Sequence, residues 1–508
     1  MATEKSDGER EEPDYPFRAG HITVSYPPGP ANEYTLGCLL PAIEHGLPEW
    51  TILVDHTTSD LGPAGRLGSV QWSDYDHIEW AALKAFPHQT LFNAYPIRKA
   101  LIRKNYLIKA VEAYAVKNKH LDQDDEAGLQ AIPIPKSYPF TLSFSDELDE
   151  LWADELYELA GELSSNELTD NDDPHPKLWI LKPALADKAQ GIRLFRSREE
   201  LYEIFSEFER LEDLLEEQSQ EPDDQQQADQ EAKVEQHQTW VSVSQMRDWI
   251  IQEYISNPLL IDPTKPETYS TDSSLDRSSF HKHHLRVYVL AVGALSLYVY
   301  EDILSLFSSK AYTLDDLNDL GVHLTNTCLQ ESLSGGGGGR GSTGERPQVT
   351  VSIDNHPVQV LDQIDAILAN LFGFVAQNDP INFQLNPNCF EIFGIDFLVD
   401  HNLKVWLLEI NAGPDFGQTG HDLKPTIEKL FTSTINVLKS EISLLREPST
   451  TADHESRKAT DPSPPRPVPS KTKTDACHRS NIPPRLRYPQ HFLPFRKVLE
   501  LQTNVSFR

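Results

Sequence analysis

Two periods of apolar and polar residues divide this chain. Repeats near 3.6 residues occur from Ile97 to Val116, where Ile97, Leu101, Ile102, Leu107, Ile108 and Val111 recur with Arg98, Lys99, Arg103, Lys104 and Lys109 between them, predicting a basic amphipathic helix. A second helix follows the capping box Ser197-Arg-Glu-Glu200, with the stripe Leu201, Ile204, Phe205, Phe208 and Leu211, and a third covers Val360–Phe374. Short apolar runs of strand type occur at Thr51–Asp55, at Leu178–Phe195 (strand, turn, strand), at Trp249–Ile255 and at Arg286–Tyr300, the last as two strands around Gly293 and Ala294. Helices and strands thus alternate, which predicts an α/β (α+β) fold.

Length and charge narrow this picture. A chain of 508 residues implies two or three packed units, and 39% hydrophobic residues suffice for a real core. A formal charge of -33 argues against direct nucleic-acid binding and against an anionic membrane surface. Cys38, Cys328, Cys389 and Cys477 lie far apart with no CxxC pair, as expected of reduced thiols in a cytoplasmic or nuclear protein. The first 16 residues are polar and lack the apolar core of a signal peptide, and the longest apolar run, Val287–Tyr300, is too short to span a bilayer. We expect a disordered leader at 1–16, an N-terminal α/β domain with the basic helix at 17–140, and a central lobe at 141–280 with an acidic disordered insertion at about 212–238. A C-terminal lobe follows at 281–446, with a Gly-rich insertion at about 333–346 that lacks the GK[ST] ending of a phosphate loop. Residues 447–508 read as a disordered Pro/Ser-rich tail that turns basic, with 11 Lys+Arg against 5 Asp+Glu from Thr451 onward.

The segment Phe393–Asn411 carries the most chemistry. Two apolar runs flank Asp400-His-Asn-Leu-Lys404, a turn sequence. A hairpin centred on Asn402-Leu403 sets Asp396 opposite Glu409, with Asn411 on the same face as Glu409. Opposed carboxylates repel, and a hard cation such as Mg²⁺ removes that penalty. Cations able to hold phosphates lie at strand ends: Lys182 after Trp179-Ile-Leu, Lys188 in a turn relaxed by Gly191, and Lys282 and Arg286, which alternate with His284 onto one face. The cluster His281, His283 and His284 lacks the cysteine partners and the HExxH spacing of a zinc site.

These pieces in this order resemble the tubulin–tyrosine ligase-like family of ATP-grasp enzymes. The resemblance runs through Trp179-Ile-Leu-Lys-Pro with Lys188-Ala-Gln-Gly-Ile192, Gln252-Glu-Tyr-Ile-Ser-Asn-Pro, Lys282-His-His-Leu-Arg286, His323-Leu-Thr-Asn326, Phe393-Gly-Ile-Asp396 and Trp406-Leu-Leu-Glu-Ile-Asn411. Upstream, Asn93–Lys109 and Pro135-Lys-Ser-Tyr138 are similar to the family's N-terminal portion, and Gly413–Gly420 is most similar to the fungal branch associated with processing bodies. The resemblance implies ATP between two α/β lobes. It implies Lys182, Lys188, Gln190, Gly191, Lys282 and Asn326 around the nucleotide, Gln252, Glu253, Tyr254 and Ile255 against the adenine, Asp396, Glu409 and Asn411 on magnesium, and Arg286 with Lys282 at the reacting groups. It further implies a ligase that joins a free amino acid to a protein or peptide end through an acyl phosphate, with the tubulin C-terminal tail as the family's usual acceptor. The basic segment Arg98–Lys109 then reads either as a solvated face or as a dock for an acidic peptide. Two positions depart from the family pattern: His284 stands where an Asp is usual, and Leu306 where an Arg is usual. They raise a second expectation, a Mg-ATP-binding scaffold with weak or no ligase activity.

Overall fold

The computed structural model describes residues 20–61, 63–85, 89–118, 131–168, 176–185, 189–219, 241–242, 246–264, 279–325, 348–352, 357–420, 422–446 and 494–501. The leader, the Gly-rich insertion and most of the acidic insertion and tail lie outside these residues.

Three sheets carry the fold. The first is parallel, ordered β2-β1-β3-β4 from β1 (His21–Ser25), β2 (Thr51–Val54), β3 (Ser69–Ser73) and β4 (Thr90–Phe92), with helix α1 (Pro30–Gly46) crossing between β1 and β2. The run at Thr51, read as a buried strand, is instead the sheet edge, and Val54 is 47% exposed. The second sheet is antiparallel, ordered β5-β8-β6-β7 from β5 (Ser137–Thr141), β6 (Trp179–Pro183), β7 (Arg193–Phe195) and β8 (Asp248–Glu253). β5, which begins before residue 141, thus belongs to this second sheet through its pairing with β8.

The third sheet is built on the long strand β10 (His281–Val292). One edge of β10 meets β14 (Phe390–Val399), which pairs in turn with β15 (Val405–Ala412). The other edge meets β12 (Asp302–Phe307) and β11 (Ser296–Tyr300) in succession, β13 (Gln348–Ser352) extends the sheet beyond β12, and β9 (Leu260–Ile261) pairs with β10 at His281 and Lys282. Four strands here were not anticipated: β9, β12, β13 and β16 (Phe495–Glu500), the last lying in the tail expected to be unstructured and pairing with β11.

Side-chain alternation along β10 separates two cores. Leu285, Val287, Val289 and Ala291 face helices α2 (Lys104–Asn118) and α5 (Val358–Asn378), while Tyr288, Leu290 and Val292 face α1, α6 (Lys424–Arg446) and the first sheet. The helix α5 is long and apolar enough to cross a membrane, but ten of its residues are buried in this core. The basic helix differs from expectation in two ways. It breaks at Arg103, whose backbone is extended between a short turn at Lys99–Ile102 and α2. It also packs on the third sheet, not the first: Leu101, Leu107 and Tyr114 share a core with Leu285 and Phe372.

Above the second sheet lie α3 (Tyr157–Leu168) and α4 (Arg198–Ser219). Ser197 Oγ caps α4 by accepting from Glu200 N at 3.1 Å, but Glu200 reaches back to Arg196 N, one residue beyond the expected box partner. The helix then runs eight residues into the expected acidic insertion, because Glu-Asp-Leu-Leu-Glu-Glu-Gln-Ser consists mostly of good helix formers whatever its charge.

Candidate functional site

The second and third sheets face each other across a cavity of about 450 Å³. Alternate residues of β10 project into it: Lys282, His284, Arg286 and then Tyr288. The same face therefore changes from polar to apolar at Tyr288, where the cavity gives way to core.

The hairpin β14–β15 forms the floor. Asp396 is paired with Glu409 and Gly394 with Asn411, as the turn arithmetic required. The route differs. The turn is one residue shorter than expected, Val399 pairing with Val405, and a bulge between Asp396 and Phe397 on the register takes up Leu408. Without that bulge Asp396 would face Leu408. The turn is held by Asp400 Oδ1, which accepts from Asn402 N at 2.8 Å and Lys404 N at 3.0 Å, while Leu403 takes the left-handed conformation at φ 60°.

Cations from three elements converge on the two carboxylates. Arg286 sits directly across from Asp396 on the neighbouring strand and grips it with two hydrogen bonds, Nη2 to Oδ2 at 3.0 Å. Asp396 outweighs the effect of burial and holds the guanidinium charged. Arg286 can lie there because Gly394 has no side chain: a Cβ at that position would stand 3.2 Å from Arg286 Cδ and 3.1 Å from Pro414 Cβ. Glu409 is half-buried and paired with Lys104 Nζ at 3.1 Å. Lys104, with Lys182 second, holds its carboxyl well below the usual range against the opposing effect of burial. Asn411 Nδ2 stands 3.5 Å from Asp396 Oδ2 and 3.3 Å from Glu409 Oε1.

Two lysines face this floor from the far walls. Lys182 Nζ donates to Gln252 Oε1 at 2.8 Å, and Gln252 in turn donates to Ser137 Oγ at 3.0 Å. Lys282 Nζ lies 4.0 Å from the centre of the Tyr254 ring. Burial lowers Lys182 to about 8 and Lys282 to about 7, the latter also repelled by Lys182. Both are poised to gain a proton when an anion enters.

The segment after β8 closes one end. The N–H groups of Glu253 and Tyr254 are taken by Lys136 O at 2.7 Å and Leu178 O at 2.8 Å, so those two residues present side chains and carbonyls, not amides, to the cavity. Tyr254 Oη meets His323 Nδ1 at 3.1 Å, and His323 Nε2 meets Asp316 O at 2.8 Å. Gln190 lines the same cavity on a turn in which Gly191 has φ 66°; a Cβ there would stand 2.7 Å from Pro183 Cγ.

The two departures meet each other. His284 and Leu306 are direct cross-strand partners on β10 and β12, and both line the cavity. His284 Nδ1 is hydrogen-bonded to Thr325 Oγ1, its Nε2 stands 3.6 Å from Asp396 Oδ1, and burial lowers its pKa. A ring with so little room for a charge fits opposite a leucine.

Of the residues singled out in the sequence, Lys182, Gln190, Gln252, Glu253, Tyr254, Ile255, Lys282, Arg286, Asp396, Glu409 and Asn411 line this one cavity. Gly191 shapes the adjacent turn, and Lys188 and Asn326 lie outside the described residues. Lys104 was missed as a site residue, because periodicity placed it on a helix face; it begins α2 after the break at Arg103 and points inward. Arg98 also turns inward, to Glu391, which leaves Lys99, Arg103 and Lys109 as the exposed cations of that segment.

Comparison with known proteins bears on this arrangement. Residues 84–448 match the tubulin-tyrosine ligase family. A Saccharomyces cerevisiae protein named probable tubulin–tyrosine ligase PBY1 is 36% identical over 423 residues, 82% of this chain and 51% of that protein, so the chain spans about half the length of this relative. A probable tubulin–tyrosine ligase of Schizosaccharomyces pombe is 36% identical over 382 residues, 73% of this chain and 83% of that protein. Among solved structures, the C-terminal domain of K. lactis Pby1, described as an ATP-grasp enzyme interacting with the mRNA decapping enzyme Dcp2, superposes with a TM-score of 0.55 at 26% identity, over 96% of this chain and 100% of that one. The fold is of the ATP-grasp kind, and the chain belongs to the tubulin-tyrosine ligase family.

Proposed function

We propose that the chain is an ATP-dependent carboxylate–amine ligase that joins a free amino acid to a protein or peptide end. The observation that carries this reading is the gathering of two carboxylates, an amide and four cations on one cavity between two sheets. Asp396, Glu409 and Asn411 offer the hard oxygen ligands that Mg²⁺ takes, on one face and within reach of each other. The ion, when bound, would neutralise phosphate charge. The amide of Asn411 would present its oxygen, a rotation that the side chain permits.

In this reading Lys182 and Lys282 hold the phosphates, and Gln190 and residues 252–255 hold the adenine. The acceptor carboxylate attacks the γ-phosphate and ADP leaves. The amine then attacks the acyl carbon, loses its proton, and inorganic phosphate departs. Arg286, locked on Asp396, is placed to stabilise charge in both steps without reorganising. Exposed Lys99, Arg103 and Lys109 suit an acidic acceptor such as a tubulin C-terminal tail. The relatives support a cytoplasmic setting, with processing bodies as the place suggested by the K. lactis protein's link to decapping.

A second reading rests on the His284–Leu306 pair, which puts an imidazole and an apolar side chain on the wall beside Asp396 where the family pattern has an Asp and an Arg. There the chain binds Mg-ATP as a scaffold with weak or no ligation. One assay separates the two: Mg²⁺-dependent ADP release with single amino acids and a tubulin-tail peptide, wild type against Glu409→Gln. Amino-acid-dependent ADP release lost in the variant supports the ligase. ATP binding without turnover for any amino acid supports the scaffold.

A further inference from the structure

The C-terminal strand β16 is docked on the fold in the manner of a bound peptide. Residues 447–493 separate it in sequence from α6, and it returns to the edge of β11 with a full antiparallel register, Ser296 opposite Glu500 through Tyr300 opposite Phe495. Its ends are fixed by main-chain hydrogen bonds, Glu301 N to Pro494 O at 2.8 Å and Leu501 N to Leu295 O at 3.0 Å. A bulge between Leu297 and Tyr298 on the register offsets the two halves of the strand.

Three side-chain features read the sequence of the segment. Phe495 is 6% exposed, with its ring 5.3 Å from Tyr300 and 6.4 Å from Tyr298. Arg496 forks onto Asp365 of α5, with Nε to Oδ2 at 2.7 Å and Nη2 to Oδ1 at 2.5 Å. Val498, Leu499 and Leu501 pack against the core beneath α5. Backbone pairing supplies affinity and alternate side chains supply specificity, the division of labour of strand-addition sites. The other strands of the third sheet pair among themselves without β16, whose only strand partner is β11.

We propose that the groove between the β11 edge and α5 is a peptide-binding site of the strand-addition type, filled in cis by Phe495–Glu500 and able to take the same segment from a second copy of this chain. Its ligand is an extended peptide of pattern Phe-Arg-x-Val-Leu. A tether of this length gives the cis segment an effective concentration on the order of millimolar, so the intact chain holds its own tail and exchange between copies appears only when that tail is loosened. The site is remote from the ATP cavity and independent of the reading given for it.

The test uses the full chain and a fluorescent synthetic peptide of residues 494–501. Binding is compared by anisotropy for wild type and for Arg496→Glu, which loosens the cis tail while leaving the residues of the groove unchanged. The variant should bind the peptide at least tenfold more tightly than wild type, and a peptide carrying Arg496→Ala should bind more weakly than the native one. Adding Asp365→Ala to the variant should abolish that preference. Amide exchange supplies a readout that needs no added peptide: residues 296–300 should exchange faster in Arg496→Glu and be protected again by the peptide. Equal binding to wild type and variant, or no binding with unchanged exchange at 296–300, overturns the proposal.

Discussion

Two glutamates on the β14–β15 hairpin answer the same problem in opposite ways. Glu391, at the closed end, is 3% exposed at its side chain and pairs with Arg98 Nε at 2.8 Å. Glu409, at the open end, is 27% exposed and pairs with Lys104 Nζ at 3.1 Å. Both cations come from the one basic segment that breaks at Arg103. Burial nevertheless pushes Glu391 up to about 7, against Arg98 and the Tyr95 N–H, while Lys104 and Lys182 draw Glu409 far down. A single cation in a sealed site leaves a carboxylate ready to protonate; two cations around an open cavity keep it charged. The sealed pair fastens the chain after β4 onto β14, with Arg98 also stacked 3.7 Å over Tyr75. The open pair holds a charge where a ligand can use it.

The comparison breaks most easily at Arg98. Arg98→Met strands a buried carboxylate and should cost about 3–5 kcal/mol in urea unfolding, with Mg-ATP affinity of the folded fraction unchanged. A fall in ATP affinity at intact stability would mean that the sealed pair also serves the cavity. Glu409→Gln should do the reverse, reducing Mg-ATP turnover by about 10²–10³ while the melting temperature stays near wild type. Next comes pH. Lys282 and Lys182, lowered to about 7 and about 8, would regain their protons on phosphate, so binding takes up protons; ATP affinity should fall up to about tenfold per unit for each lysine as pH rises from 7 to 9. Calorimetry in buffers of different ionisation enthalpy reads the uptake directly, and a pH-independent affinity would remove the lysines from the phosphate site. Lys104→Met should weaken ATP binding about tenfold, measured by titration, since it leaves Glu409 with one cation fewer.

The smallest effect concerns stability against pH, and its sign differs between the two acids. Glu391 is raised, so its contribution is full below the ordinary glutamate range and is lost as pH climbs towards 7. Glu409 is lowered, so its contribution is full above that range and is lost only as pH falls below it. Melting curves of Glu391→Gln should therefore lose the gain that wild type shows between pH 7 and 4.5. Those of Glu409→Gln should lose the decline that wild type shows below it.

The hairpin was legible because its information is local. Turn residues and alternation set Asp396 against Glu409, and the bulge at Leu408 restored a pairing that the shorter turn would have shifted by one residue. What surrounds the carboxylates was less so. Nothing in the spacing of Ile97–Val116 distinguishes a lysine on a solvated face from Lys104 pointing into a cavity; the one signal was that two opposed acids need a cation besides those already counted. The strand β12 was hidden because it is short and polar at Asp302 and Ser305, and Asp302 is placed by a contact distant in sequence, with Lys429. The strand β16 was hidden by its Pro-rich surroundings, since six residues carry too little pattern to stand out.

The meeting of His284 and Leu306 across β10 and β12 has an evolutionary consequence. An acid placed at 284 alone adds a second carboxylate beside Asp396 in a buried wall; a base placed at 306 alone lacks a cross-strand acid. Each single step is costly and the double step is not, so the two substitutions are epistatic. Positions 284 and 306 are thus expected to change together, and a double-mutant cycle read on stability measures their coupling.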